Sequence, residues 1–208
     1  MSADEFAAAA DVSRETLERL EVYSSLLVKW QGAINLVGAD SLADIWRRHM
    51  LDSAQLADYI PRDAAVITDL GSGAGFPGLV LSIILDRPVH LVEASGKKAA
   101  FLREVVRLTN APAIVQNRRI ERGEAWQSDV VVARALAPLA LLLEYAEPFL
   151  QGAGTEAACL FLKGVRVEEE LTEVSKSWTM KVERFQSVSD PSGIILRIRD
   201  IARDGHSE

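Results

Sequence analysis

A short apolar strand that runs directly into a glycine-rich turn constrains this chain more than any other feature. The apolar residues 65–70 lead into Gly71-Ser-Gly-Ala-Gly-Phe-Pro-Gly78, and residues 79–85 follow with the composition of a buried helix. Glycine adopts left-handed backbone angles without strain and lets backbone N–H groups come close to a ligand. The segment is therefore predicted to form a strand, a ligand-binding turn and a helix in that order.

Strands and helices alternate along the rest of the chain. Further strands are predicted at 88–94, 113–116, 130–133 and 158–162, with helices at 97–108, 139–149 and 168–177. Residues 179–188 and 194–199 form a hairpin that adds an antiparallel edge strand. Because such alternation indicates right-handed βαβ units, the predicted fold class is α/β. It is a seven-stranded, mostly parallel, doubly wound sheet with an N-terminal helical extension.

The helical extension covers residues 1–60 and is predicted to pack on the sheet. An apolar stripe with spacings of three and four residues indicates an amphipathic helix that Ser13 caps: Leu17, Leu20, Tyr23, Leu27, Trp30 and Ile34. Residues 61–200 form the predicted sheet domain. Residues 201–208, which include His206, are predicted to be a flexible tail.

Composition excludes several classes of protein. With one cysteine and three histidines, the chain can form neither an internal disulfide nor a structural zinc site, and no metal is expected. The N-terminus is acidic where a signal peptide is basic. The longest apolar run, 130–150, is interrupted by Arg134, Glu144 and Glu147, which disfavours a membrane span. We expect a soluble cytoplasmic monomer with one core.

Ligands of open α/β sheets bind at the carboxyl ends of the strands. Asp69, Gly71, Gly73 and Gly75 lie at the end of the first predicted strand, and Glu93 closes the second. A carboxylate in the position of Glu93 can accept both hydroxyls of a ribose. Asp69 can pair with an ammonium group of the ligand, or it can cap the turn. The pattern indicates a cofactor that contains adenosine.

The spacing of the glycines bears on which cofactor this is. A G-x-G-x-x-G dinucleotide motif fails from Gly71, because its sixth position is Phe76. From Gly73 the spacing matches, but the motif then starts two residues beyond the strand and places Pro77, which has no N–H, at the helix entry. The order D-x-G-x-G-x-G favours S-adenosylmethionine, which has no phosphate. An NAD(P)-dependent oxidoreductase stays open as the alternative.

The loop 69–78 closely resembles that of the glucose-inhibited division protein B family, bacterial guanine-N7 methyltransferases of small-subunit ribosomal RNA. Similar segments are 26–36, 48–53, 91–103, 134–139 and 161–164. Gln31 and Val37-Gly38 depart from the family pattern, outside the cofactor loop. The resemblance implies a Rossmann-like class I methyltransferase. It places S-adenosylmethionine contacts at Gly71, Phe76, Ile120, Glu121 and Arg134.

One stretch of this acidic protein is basic. The net charge is −7, yet residues 86–122 carry eight basic and four acidic side chains, a net of +4. Cations near the strand ends can contact phosphates. The predicted RNA contacts are Arg47, Arg48, His49, Lys97, Lys98, Arg118, Arg119, Arg122 and Lys163. Because the remainder is acidic, the expected partner is small-subunit ribosomal RNA within a ribosomal particle.

Methylation at N7 of guanine needs no general base, because N7 carries a lone pair and no proton at neutral pH. The transfer can rest on in-line positioning, which is worth about 7–11 kcal/mol, and no catalytic acid or base is predicted. A non-enzymatic RNA-binding assembly factor with a vestigial pocket stays open, as does methylation of a small molecule.

Overall fold

Seven strands form the central sheet of the molecule. A computed structural model describes residues 1–154 and 156–204 of the chain. The strands are β1 (Ile67–Leu70), β2 (Val89–Val92), β3 (Ile114–Gln116), β4 (Val130–Arg134), β5 (Ala158–Lys163), β6 (Trp178–Gln186) and β7 (Ile194–Arg203). Their order is β3-β2-β1-β4-β5-β7-β6. The predicted α/β fold class is confirmed.

The direction of the chain across the sheet reverses next to β1. This strand pairs in parallel with β2 on one side and with β4 on the other, where Asp69 faces Leu91 and Val132. All four residues of β1 are buried, as the continuous apolar run of a doubly covered parallel strand requires. The glycine-rich turn leaves the carboxyl end of β1, so it lies at the switch point where such sheets bind ligands.

The C-terminal hairpin differs from the prediction in one respect. β7 pairs antiparallel with both β5 and β6, so the antiparallel strand is internal and β6 forms the edge. β7 buries Ile195, Leu196 and Ile198, whereas β6 alternates between buried or half-buried and exposed residues over most of its length. Alternation is typical of a strand with one solvated face.

Helices cover the sheet and form the N-terminal extension. They are α1 (Ala3–Ala9), α2 (Arg14–Gln31), α3 (Ala39–Leu42), a π-helix (Trp46–Leu51), α4 (Asp52–Ala54), a 3-10 helix (Gln55–Tyr59), α5 (Gly78–Leu85), α6 (Gly96–Thr109), α7 (Leu139–Leu150) and α8 (Val167–Val174). Ser13 caps α2 as predicted, but α2 ends before Ile34. The sequence analysis missed α1, whose seven residues are too few for a periodic pattern, although Ser2 and Glu5 form a capping box there.

The N-terminal helices share a hydrophobic core with the sheet. Leu20, Tyr23 and Leu27 of α2 belong to the same buried cluster as Val80 of α5 and Leu91 of β2. Outside this core, Arg19 donates from Nε to the carbonyl oxygen of Thr109 at 2.9 Å, at the end of α6. The extension is thereby held on the face of the sheet on which α5 and α6 pack.

The C-terminal boundary also differs from the prediction. β7 continues to Arg203 and pairs with β6 as far as Trp178. Residues 201–203 therefore belong to the sheet and not to a tail. Residues 205–208, with His206, lie outside the described residues. Within the described part of the chain, no helix is both long enough and apolar enough to cross a membrane.

Candidate cofactor and substrate clefts

The turn after β1 has an unusual backbone. Gly71, Gly73 and Gly75 have φ values of +67°, +58° and +100°, a region that costs other residues about 1–2 kcal/mol each. The turn also packs tightly, since a Cβ atom on Gly75 would lie 2.7 Å from Tyr23 Oη and 2.9 Å from the Leu79 Cβ atom. The glycine pattern therefore reflects both backbone angle and lack of space.

Tyr23 braces this turn from the N-terminal extension. Its hydroxyl donates to the carbonyl oxygen of Ala74, and its ring stacks on Phe76 at 5.3 Å between centroids. Tyr23 is fully buried, and burial raises the pKa of its phenol. Tyr23 was predicted as part of the apolar stripe of α2, but its contact with the turn was not. Helical periodicity predicts which residues are buried and does not predict which residues they contact.

Replacing Tyr23 with phenylalanine is expected to weaken cofactor binding several-fold. The variant keeps the ring but leaves the Ala74 carbonyl without its donor, a loss of about 1–3 kcal/mol for a buried group. Titration calorimetry measures the affinity, and steady-state kinetics should show a larger effect on KM for the cofactor than on kcat. Tyr59→Phe is the control, because the Tyr59 ring packs at a tilt against Phe185 and lines neither cleft. Equal affinities in the two variants would contradict the bracing role.

Two carboxylates hold the turn in place. Asp69 is fully buried, and its Oδ2 accepts from the Gly78 N–H at 3.1 Å. Its Oδ1 is buried and has no hydrogen-bond partner among the described residues. Glu93 Oε2 accepts from the Gly73 N–H at 2.8 Å, and Oε1 accepts from the Ser95 N–H at 2.6 Å. Each Glu93 oxygen keeps a second lone pair for a ligand hydroxyl.

The turn opens on a cleft of about 570 Å³, which we call the first cleft. Its lining includes most of the predicted cofactor residues and some of the predicted RNA residues: His49, Gly71, Gly73, Phe76, Glu93, Lys98, Arg118, Arg119, Ile120, Glu121 and Arg134. Asp69 and Gly75 are not in the lining and lie behind the turn. Glu121 accepts from Tyr145 Oη at 2.9 Å, which joins the loop after β3 to α7.

Arg134 ends β4 between this cleft and the N-terminal extension. Its Nη1 donates to Asp52 Oδ2 at 3.1 Å and to the Arg48 carbonyl at 3.0 Å. Its Nη2 lies 2.9 Å from His49 Nδ1, and its guanidinium stands 5.0 Å from the centre of the Phe76 ring. Arg134 therefore forms an internal salt bridge with Asp52 and still lines the cleft.

His49 is held as a neutral imidazole. Burial first, and the neighbouring charges of Arg134 and Arg48 next, lower the pKa of His49 to about 3. Because an arginine only donates, Nδ1 is the acceptor from Arg134, and Nε2 carries the proton toward Ser41 Oγ at 2.8 Å. His49 is therefore not available as a base or as a cation.

A second cleft, of about 1020 Å³, adjoins the first. The two share Gly38, His49, Arg134 and Ala135 in their linings. The second cleft also contains Arg47, Arg48 and Lys163, which the sequence assigned to RNA, and runs to the tip that follows β5.

The structure gives several predicted RNA residues an internal role. Lys163 pairs with Glu170 at 2.6 Å and is largely buried. Arg118 donates to the carbonyl oxygens of Arg122 and Glu124 and covers the Trp126 ring. Glu170 neutralises Lys163, whereas Arg118 donates to neutral carbonyl oxygens and keeps its charge. The RNA contacts of Lys163, Arg118 and His49 stay predictions.

The other cations are exposed to different degrees. Arg47, Arg48, Lys97, Arg119 and Arg122 are exposed and Lys98 is half-buried. Lys97 lines neither cleft. Their RNA contacts stay predictions.

The arrangement suits an adenosine nucleoside that carries an ammonium group and no phosphate. The unpartnered Oδ1 of Asp69 is an acceptor buried behind the turn, and Glu93 offers acceptors for ribose. Among the described residues, no three His, Cys, Asp or Glu side chains form a group able to hold a metal.

Solved structures similar to this one include complexes with AdoMet and with SAH. TYW2 of M. jannaschii, in complex with AdoMet, aligns with a TM-score of 0.56 at 15% identity over 83% of this chain and 80% of its own. An O-methyltransferase from Bacillus cereus in complex with SAH aligns with a TM-score of 0.55 at 13% identity, over 90% and 91% of the two chains. The fold is thus that of the Rossmann-like methyltransferases.

Sequence comparison narrows this class to one family. The family described as rRNA small subunit methyltransferase G (GidB) matches residues 16–194. Ribosomal RNA small subunit methyltransferase G of Rhodospirillum rubrum is 56% identical over 98% of this chain and 100% of its own length. The homologue of the same name from Rhodospirillum centenum is 54% identical over 98% and 93%. The chain belongs to this family, which confirms the resemblance and favours a methyltransferase over an oxidoreductase.

Proposed function

We propose that this protein methylates N7 of a guanine in small-subunit ribosomal RNA, with S-adenosylmethionine as methyl donor. The observation that carries the proposal is the family match over residues 16–194, which includes every residue of the two clefts that the sequence analysis singled out. The monomeric state and the cytoplasmic location stay predictions.

The chain's own residues hold the cofactor in this proposal. S-adenosylmethionine, when bound, supplies a methyl group on a positively charged sulfur. From behind the turn, Asp69 attracts the ammonium group, directly or through water. Glu93 accepts from the ribose hydroxyls, and Ile120 with Glu121 borders the adenine. Phe76 presents its ring to the cleft between Tyr23 and His49, stacked at 5.3 and 4.9 Å.

The transfer step places few demands on acid–base chemistry. The N7 lone pair of guanine forms the new N–C bond, the electrons of the broken S–C bond stay on sulfur, and no proton moves. His49 is neutral, with both ring nitrogens engaged. The residues therefore contribute orientation, for which about 7–11 kcal/mol is accessible. Arg134 and Phe76 line the first cleft, and Arg134 also lines the second.

Affinity for the cofactor is expected to depend on pH through Asp69. Burial raises the pKa of this carboxyl to about 7, partly offset by a hydrogen bond from Gly78. An ionised Asp69 attracts the ammonium group, so affinity should rise as pH increases to about 7 and then level off. Below pH 7 it should fall by up to about tenfold per pH unit, as the ionised fraction does.

Asp69→Asn isolates this effect, since asparagine can still accept from the Gly78 N–H. The titration of the cofactor's own amino group affects both proteins equally. Calorimetry from pH 5.5 to 8.5 should give a steep slope for the wild type and a shallow one for the variant. The free wild type should also lose stability relative to the variant as pH rises from about 4 to 7, because its folded pKa is the higher one. Parallel slopes would refute the assignment.

Methyl transfer itself is tested with tritiated S-adenosylmethionine. The substrates are small ribosomal subunits that lack the modification, naked small-subunit RNA and random RNA, and the product is mapped by chemical cleavage at N7-methylguanine. We expect one labelled guanine, with small subunits preferred because the protein is acidic overall. Label on another base atom, or on no RNA at all, would overturn the proposal. Binding of NAD in place of S-adenosylmethionine would favour the oxidoreductase.

A further inference from the structure

The tip that follows β5 is not explained by cofactor binding or by packing. It consists of Gly164, Val165 and Arg166, which we call the 164–166 tip, and it lines the second cleft. Val165 is 80% exposed, more than any other large hydrophobic side chain in the described residues. Because Val165 lies in the lining of the cleft, its exposed side chain is available for contact with a ligand.

Arg166 is one of the few uncompensated cations of the second cleft. Within the described part of the chain, Arg47 pairs with Asp44 at 3.7 Å, Arg134 with Asp52 at 3.1 Å and Lys163 with Glu170 at 2.6 Å. Neither Arg48 nor Arg166 has a carboxylate within 4.0 Å among these residues, although both line the cleft. The two arginines therefore form no salt bridge among the described residues, although the charge of Arg48 also acts on Asp190.

The position of the tip relates it to the transfer site. β5 is the parallel neighbour of β4, and Leu162 of β5 faces Arg134 of β4 in the register. The two clefts meet at His49, Arg134 and Ala135. A base that reaches the first cleft from the second would therefore pass between the π-helix that carries Arg48 and the 164–166 tip.

We propose that the 164–166 tip, together with Arg48, receives the target nucleotide of the RNA: Val165 packs against the unstacked base and Arg166 binds its phosphate. This inference rests on the proposed function and adds the place where the substrate enters. A base that is modified by an enzyme has to leave its stack, and apolar side chains commonly take over the contact with its face. Arginine matches a phosphate in geometry and charge.

The test compares two tip variants with two controls. Arg166→Ala and Val165→Ser change exposed side chains, so the fold should persist. Arg62→Ala removes an exposed arginine ahead of β1, and Val28→Ser removes an exposed valine of α2; neither residue lines a cleft. All four proteins are assayed for methyl transfer to small ribosomal subunits, and their affinity for S-adenosylmethionine is measured by calorimetry.

Arg166→Ala is expected to raise KM for the ribosomal subunit about tenfold. The slope of log(1/KM) for the subunit against log salt concentration should become shallower by about 0.7–0.9, as the loss of one phosphate contact predicts. Val165→Ser should lower kcat/KM for the subunit about threefold to tenfold with an unchanged salt slope. Both should bind S-adenosylmethionine like the wild type. The controls should change neither KM nor the salt slope.

Tip variants with the same KM, kcat and salt slope as the controls would overturn this inference while leaving the proposed function intact. Weaker binding of S-adenosylmethionine in either tip variant would also overturn it, because the tip would then act through the first cleft. A wild type that transfers no methyl group to the subunit would instead overturn the proposed function, and this inference with it.

Discussion

Replacing Gly75 with alanine is expected to abolish detectable binding of S-adenosylmethionine and to lower the free energy of unfolding by about 2–5 kcal/mol. The backbone of Gly75 has a φ of +100°, and an added Cβ would lie 2.7 Å from Tyr23 Oη, 2.9 Å from the Leu79 Cβ and 3.0 Å from Leu102 Cδ2. These atoms belong to buried side chains of three helices that pack on one another. Because these side chains have no room to shift, the turn has to move. Ala74 and Phe76, which line the first cleft, would move with it.

A matched variant separates strain from crowding. Gly152 has a φ of +74°, and a Cβ added there would meet no atom of the described residues within 4 Å. Gly152→Ala should therefore cost only about 1–2 kcal/mol and should leave cofactor affinity unchanged. Denaturant unfolding and calorimetry measure the two effects. If Gly75→Ala bound S-adenosylmethionine with the affinity of the wild type, the turn would not be part of the cofactor-binding site.

Replacing Arg134 with alanine is expected to reduce methyl transfer by at least about a hundredfold and to destabilise the fold by about 2–4 kcal/mol. Arg134 and Asp52 are only 16% and 17% exposed, and removal of one partner of a buried pair leaves an unpaired charge that costs about 3–5 kcal/mol when burial is complete. His49 Nδ1 and the Arg48 carbonyl would lose donors as well. The wall between the two clefts would therefore loosen.

Two further variants define what Arg134 contributes. Arg134→Lys keeps the charge but cannot reach three partners with a planar fork, so it should recover stability in part and activity little. Arg184→Ala breaks an exposed pair with Glu168 at 3.0 Å and should cost no more than about 1 kcal/mol. Unfolding by urea and kcat/KM for small ribosomal subunits are the measurements. Full activity of Arg134→Ala in a folded protein would contradict a role in the cleft.

Local signals in the sequence predicted most of the fold. The apolar runs of β1, β2 and β4, the amphipathic stripe of α2 and the cap at Ser13 depend on neighbours within a few residues. The glycines at 71, 73 and 75 indicated a ligand-binding turn, and the structure adds that all three have left-handed backbone angles. The edge position expected for the antiparallel strand was wrong, because the order of strands in a sheet depends on partners far apart in the chain.

The sequence by itself determined the class of fold, the switch-point turn and the carboxylates Asp69 and Glu93, since each is encoded in a contiguous stretch with a defined spacing. Only the tertiary structure decided that Tyr23 braces the turn, that His49 is neutral between Ser41 and Arg134, and that Lys163 is neutralised by Glu170. These contacts join residues between 7 and 85 positions apart. Burial and pairing set their charge states, and no spacing along the chain encodes either.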